Sequence, residues 1–382
     1  MIEEGLEFYK KIASLAFLSY WIAMKILVTA LLSNYKLNTN LMGMINSRKV
    51  SEIILVRRWP LEGVAKLRNV NPPGLWNRCK LLYELWRFVT IMKILLKEDV
   101  NAIIGIQMVL HGLQVAIAGW LTRTPFILSA IGSDIYVHMR KNWERLFLRP
   151  AFTGAFAILV KGSKSSKMLV EARISPRKIF VSQDYQDENR FAPKDMKKRW
   201  DLLFIGNLLP VKRVHALIEA VAEVSKDLKG IRLGILGDGL EKGRLERLVQ
   251  ELGIDQSVDF IGRKDDVENY INSARAVILV SRSEGMPAVA IESIFCGVPV
   301  ILTDVGDIGD IFIHGENALL IPVGDKKALL AAIRQLLTDD ELYEHLREGA
   351  LKTRERHSQR WNLEGQVREW ERVLSFVTHV ES

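Results

Sequence analysis

Two glutamates eight positions apart, Glu284 and Glu292, flank the break Gly285-Met286-Pro287, which follows an apolar run from Ala276 to Val280. The run reads as a buried parallel strand. Pro287 suits the first position of a following helix, where its missing N–H removes no bond. The mouth of such a helix presents free backbone N–H groups and the positive end of its dipole, a site for an anion such as a diphosphate. Glu292 then lies roughly 7 Å along the axis from Pro287, at ~1.5 Å per residue. One carboxylate can face a ligand at the helix mouth while the other reaches hydroxyl groups from the side. A diphosphate beside hydroxyl groups describes a nucleotide-sugar. The same spacing also arises between two solvated surface glutamates, so the flanking segments decide between the readings.

Those segments alternate short apolar runs with longer amphipathic ones, the pattern of parallel sheets covered on both faces. In the amino-terminal half, strands are expected near 25–29, 53–56, 102–106, 126–129, 156–160 and 179–181, with a long helix from Trp76 to Lys97. In the carboxyl-terminal half they are expected near 202–205, 232–236, 258–261, 276–280, 298–302 and 318–321. A chain of 382 residues favours two domains. The expected division is an amino-terminal extension at 1–23, an acceptor-side domain at 24–190, a nucleotide-sugar domain at 191–357, and a final amphipathic helix at 358–382. Two doubly wound domains place their ligand crevices at the carboxyl edges of strands, so the cleft between them suits a two-substrate reaction.

The stretch from Ser281 to Val300 resembles the Glu-x7-Glu signature of glycosyltransferase family 4, the retaining group 1 transferases of the GT-B fold. Other segments join it in order: Gly206-Asn207 with Lys212-Arg213, Gly237-Asp238-Gly239, Gly262-Arg263, Thr303-Asp304, and Gly315 through Pro322. The resemblance implies an α/β GT-B fold, two Rossmann-like domains facing each other across a cleft. It also implies site roles. Lys212 meets the donor phosphate, with Arg213 as candidate second cation, because Asn207 stands where the family commonly has arginine. Glu292 holds the ribose hydroxyls, and Glu284 lies near the donor sugar and the transferring carbon. Gly285, Met286 and Pro287 bring backbone to sugar and phosphate, and Arg263 flanks the base. In the first half, His111 and Asp134 of Gly132-Ser133-Asp134 occupy positions matching the family's catalytic side. Ile131 replaces a frequent histidine there, and the usual Gly-Gly loop after the first strand is absent.

The implied function is metal-independent, retaining transfer of a hexose-type sugar from a UDP- or GDP-sugar, with no further cofactor, to a lipid-linked or cell-surface glycan acceptor. The alternatives are a non-catalytic nucleotide-sugar-binding partner subunit and a GT-B-fold sugar-nucleotide epimerase. Charge bears on the acceptor. Residues 1–190 carry 27 Lys and Arg against 14 Asp and Glu, while the remainder carries 26 against 31. A basic half meets something anionic. Without a nucleic-acid module, that points to an anionic or lipid-linked acceptor and to peripheral contact at the inner face of the cell membrane. The two cysteines, Cys79 and Cys296, form no metal or disulfide pattern, which fits a reducing cytoplasm. Residues 12–24 are too short an apolar run to span a bilayer. The extension 1–23, with Phe8, Tyr9, Phe17, Tyr20 and Trp21, reads as an interfacial helix or as one packed on the domain.

Overall fold

The computed structural model describes residues 23–77, 79–132, 134–138 and 142–379. The expected extension at 1–23, with its interfacial helix, lies outside the described residues except for Ala23.

The first lobe is a seven-stranded parallel sheet. Its strands are β1 (Met24–Ala30), β2 (Val50–Val56), β3 (Leu67–Val70), β4 (Ala102–Ile106), β5 (Phe126–Ser129), β6 (Ala157–Val160) and β7 (Ile179–Val181), in the order 3-2-1-4-5-6-7. The helices between them are α1 (Asn34–Asn46), α2 (Lys80–Lys97), α3 (Leu113–Thr122), α4 (Asn142–Gly154) and α5 (Ser163–Glu171). Near-continuous Ile, Leu and Val in β1, β2 and β4 leave both faces of the central strands buried, as helices on either side demand. Strand β3 was not expected. Its Leu-Arg-Asn-Val sequence carries little apolar signal because it is a short edge strand, paired on one side only. Helix α2 starts later than expected, at Lys80. A 3₁₀ turn at Gly74–Asn77 and an extended Cys79 precede it.

The second lobe repeats the scheme with six parallel strands: β8 (Trp200–Ile205), β9 (Leu233–Leu236), β10 (Val258–Gly262), β11 (Ala274–Leu279), β12 (Val300–Thr303) and β13 (Ala318–Ile321), in the order 10-9-8-11-12-13. Its helices are α6 (Val214–Val224), α7 (Lys242–Glu251), α8 (Val267–Asn272), α9 (Ala288–Phe295) and α10 (Lys326–Thr338). The strand order reverses between β1 and β4 in one lobe and between β8 and β11 in the other. Each reversal opens a crevice at the carboxyl edge, and the two crevices face one another.

Two further helices follow, α11 (Asp340–Trp361) and α12 (Leu363–His379). The last returns to the first lobe and packs on α1. Trp370 is buried there and donates Nε1–H to Asn40 O at 3.3 Å. Gly43 of α1 permits this approach, since a Cβ at that position would sit 2.4 Å from Gln366 O.

Candidate active site

A cavity of about 500 Å³ lies between the lobes, walled by the turns after β1, β5, β6, β8 and β11. It collects three lysines, Lys36, Lys161 and Lys212, and three carboxylates, Asp184, Glu284 and Glu292. Helix α9 opens onto it with Pro287 as N-cap in extended conformation (φ −72°, ψ 116°), one position earlier than expected. Ala288 and Val289, the first helical residues, line the wall. A first turn carries backbone N–H groups that the helix itself leaves unmatched, so this wall can hold an anion.

Lys212 Nζ lies 2.5 Å from Glu284 Oε1, and Ser281 Oγ donates to the same oxygen at 2.7 Å. The strand-end turn thus pairs the one cation of this wall with the one carboxylate at the break. Glu292, only 5% exposed, accepts a hydrogen bond at Oε1 from the Tyr35 hydroxyl of the other lobe at 2.9 Å. Burial raises the Glu292 pKa; the Tyr35 bond and the positive charges of Lys36 and Arg190 oppose that rise. Burial also raises the Tyr35 pKa, and the Glu292 charge adds to the effect. Lys161 Nζ meets Asp184 Oδ1 at 2.6 Å, and Asn40 Nδ2 donates to that oxygen at 2.7 Å. Burial pushes Asp184 upward, but Lys161 and Lys36 outweigh it and hold the carboxyl below its usual value. Lys36 forms no ion pair among the described residues and faces the cavity.

Asn207, Lys212, Glu284, Gly285, Met286, Pro287 and Glu292 therefore share one cavity. Three other expectations fare differently. Arg213 takes a left-handed conformation (φ +53°) that turns its guanidinium beside Gly324, into a separate crevice near α10, so it is no second cation of this cavity. Arg263 is exposed on the turn after β10; Val267, farther along the same connection, reaches the cavity instead. His111 is buried with both ring nitrogens engaged, by Thr29 Oγ1 at 2.9 Å and Arg87 Nη1 at 2.8 Å. It is absent from the cavity lining, its ring nitrogens committed to Thr29 and Arg87. The backbone of Asp134 opens the turn 134–138 after β5; its side chain lies outside what is described.

Tyr35, Lys36, Asn40 and Lys161 escaped the sequence reading. Ser33 was the available signal for the first three, because it caps α1 by accepting from Lys36 N at 3.3 Å. Lys161 directly follows a strand, at the edge where ligands bind.

The family described as Glycosyl transferases group 1 matches residues 185–353. The second lobe belongs to the group 1 glycosyltransferases. Among curated relatives, the N-acetyl-alpha-D-glucosaminyl L-malate synthase of Bacillus anthracis is 32% identical over 46% of this chain and 49% of its own. An alpha-1,4-N-acetyl-D-galactosaminyltransferase of Campylobacter jejuni, named for an undecaprenol-diphosphate-linked acceptor, is 30% identical over 59% of this chain and 62% of its own. The chain spans about half to three-fifths of the length of these relatives. Among solved structures, Anabaena Alr3699/HepE in complex with UDP-glucose superposes with a TM-score of 0.75 at 17% identity, over 92% of this chain and 99% of that one. Sucrose-phosphate synthase from Thermosynechococcus elongatus does so with a TM-score of 0.76 at 18% identity, over 94% and 100%. The two lobes thus form the GT-B fold, as the sequence led one to expect.

Proposed function

We propose that the chain is a family 4 glycosyltransferase that moves a hexose-type sugar from a UDP- or GDP-sugar with retention of configuration. The observation carrying this reading is the convergence of Lys212, Glu284, Glu292 and the first turn of α9 on one inter-lobe cavity. A departing nucleoside diphosphate gathers negative charge. A lysine and backbone N–H groups aimed at it in a partly dry site stabilise that charge far better than water-exposed groups do. In this reading Lys212 and the α9 N–H groups meet the diphosphate without calling on a metal, and Glu292 accepts from the ribose hydroxyls. Glu284 exchanges Lys212 for the donor sugar. The bond from the anomeric carbon to phosphate oxygen breaks, the acceptor oxygen bonds to the same face, and its proton passes to the leaving phosphate. In this reading Asn207, which lines the cavity, serves the phosphate side and Asp134 the acceptor side, while Arg263, exposed outside the cavity lining, is assigned no part. The complex of HepE with UDP-glucose supports a UDP-linked donor.

The Campylobacter relative's name supports a lipid-linked glycan acceptor. So does the outer surface of the first lobe. Leu81 (76% exposed) and Leu96 (72% exposed) stand on α2 with Lys80, Lys93 and Lys97, beside exposed Trp120 and Leu121 of α3. Apolar side chains fringed by lysine suit peripheral contact with an anionic membrane face on the cytoplasmic side. Among the described residues, no helix is long and apolar enough to cross a membrane.

Thermal-shift measurement with UDP, GDP and ADP tests the donor assignment, because a ligand bound only by the native state raises apparent stability. A shift with UDP or GDP but not ADP is expected; the absence of any shift would remove the reading. Binding without transfer or donor hydrolysis would favour a non-catalytic partner subunit.

A further inference from the structure

Tyr35 lines a second hollow as well as the inter-lobe cavity. This groove, of about 830 Å³, runs across the first lobe between α1 and residues 59–65, the connection from β2 to β3. Its walls carry the amides of Asn34, Asn38 and Asn46 and the indole of Trp59, which is 53% exposed. Among the described residues Glu62 is the one charged residue in the lining, which is unexpected in so basic a lobe. A neighbouring cation, Arg58, lies beside Trp59 with its guanidinium packed against the Trp59 and Tyr83 rings.

The groove is held in shape. Asn34 Nδ2 donates to Pro60 O at 3.2 Å, tying the helix to the far wall. Asn69 of β3 clasps Leu61 from both sides, accepting from its N–H at 2.9 Å and donating to its carbonyl at 3.0 Å. The Arg58 guanidinium lies over the Trp59 ring, 5.6 Å from its centroid, and steadies it. Asn46 commits one N–H to Met42 O at 2.9 Å. Asn38 Oδ1 is enclosed and accepts no hydrogen bond from the described residues, so turning its amide toward a ligand in the groove would relieve an unmatched acceptor.

Flat aromatic surface bordered by amides has a specific complement. A pyranose offers an apolar face of C–H groups to stack on an indole, and hydroxyls around its rim that both donate and accept. An amide also does both. A carboxylated or phosphorylated sugar would meet the Glu62 carboxylate in the lining, while the neighbouring Arg58 guanidinium is already engaged by the Trp59 and Tyr83 rings, an arrangement that disfavours it. We propose that this groove is the acceptor subsite and takes an uncharged pyranoside stacked on Trp59. Tyr35 stands where the groove meets the donor cavity, so a sugar seated there can direct a hydroxyl past it toward the transferring carbon. The inference rests on the donor assignment above and narrows the acceptor from an anionic glycan to a neutral sugar ring.

Saturation-transfer NMR on the whole chain with excess UDP tests it. The probes are the methyl glycosides of glucose, galactose and N-acetylglucosamine, with methyl glucuronide as charged counterpart and the octyl glucoside as lipid-like counterpart. At least one neutral methyl glycoside should give a signal that falls about tenfold in both W59A and N38A, while methyl glucuronide gives none. The UDP-induced thermal shift, measured in parallel, should be as large in both variants as in the parent chain, which also shows that they fold. If no neutral glycoside binds, if the signal survives W59A, or if glucuronide binds better, the subsite assignment is overturned. Octyl binding that persists in W59A would mean the groove takes the chain and not the ring, which also overturns it. If UDP itself produces no shift in the parent chain, the donor assignment fails instead.

Discussion

Asp307 of the second lobe caps a helix of the first: its Oδ1 accepts the backbone N–H of Ser165 at 2.9 Å, and its Oδ2 accepts the Ser165 hydroxyl at 2.5 Å. Helix α5 begins after Gly162, which has no side chain to serve its own N–H groups. Asp310 supplies the other acceptor, taking the Ser163 N–H at 2.5 Å. The two sheets are thereby joined by a helix terminus on one side and carboxylates on the other, the favourable sign for a helix dipole. Closure of the cleft is built into this contact.

Replacing that carboxylate should open the molecule. D307A removes a cap of about 1 kcal/mol that exists only when the lobes are together. The radius of gyration from small-angle scattering should rise while the circular dichroism spectrum keeps its helix and strand content. An unchanged radius would mean that other contacts hold the lobes.

Sterics make a second closure test. Gly132 (φ +92°) and Gly285 touch across the cleft, and a Cβ on Gly285 would sit 2.8 Å from Gly132 Cα and from Ile131 O. Because no left-handed conformation is involved at Gly285, G285A adds volume without backbone strain. Transfer should fall by about two orders of magnitude through a misplaced reacting geometry, with the melting temperature nearly unchanged. Retention of full activity would show that the closed contact is not needed for turnover.

Donor chemistry concentrates on two residues. E292A and K212A should each lower kcat/KM for the donor by ~10²-fold or more if each removes a contact made in the transition state. Y35F should act differently. It takes one hydrogen bond from the buried Glu292, so it should cost about 1–3 kcal/mol of stability, read by denaturant midpoint, with a smaller loss of turnover than E292A. Wild-type kinetics in both E292A and K212A would end the assignment.

His111 gives the pH dependence. Arg87 can only donate, so His111 Nε2 accepts and Nδ1–H donates to Thr29. A second ring proton would face a guanidinium in a buried site. Burial first, then the Arg87 and Arg57 charges, hold its pKa well below 6.5. The unfolded chain takes up a proton near pH 6.5 and the folded chain does not, so this contribution is complete above pH 6.5 and is lost as pH falls toward the folded pKa. The slope is up to about 1.4 kcal/mol per pH unit from this one group. Unfolding midpoints from pH 8 to pH 5 should decline less steeply in H111Q than in the parent chain; parallel curves would disprove the assignment.

The architecture was largely legible because buried parallel strands write themselves as runs of Ile, Leu and Val, as in Ile26-Leu27-Val28 of β1 and Ile53-Ile54-Leu55-Val56 of β2. Strand β3 was missed for the converse reason: an edge strand with one covered side needs few apolar residues. Within the site, Lys212, Glu284 and Glu292 were readable because they lie on the connections after β8 and β11 or in the opening turns of the helix that follows, which sit at the sheet's ligand edge.

What the amino-acid order determined by itself is thus what short-range geometry sets: the apolar core strands, the helix mouth at Pro287, and the carboxylates beside it. Tertiary structure alone decided the rest. It turned Arg213 away from Lys212 through one positive φ, locked His111 between Thr29 and Arg87, and brought Tyr35 against Glu292 from 257 positions away. Such pairings depend on how two lobes close, and no spacing along a chain encodes the distance between residues on opposite sides of a cleft.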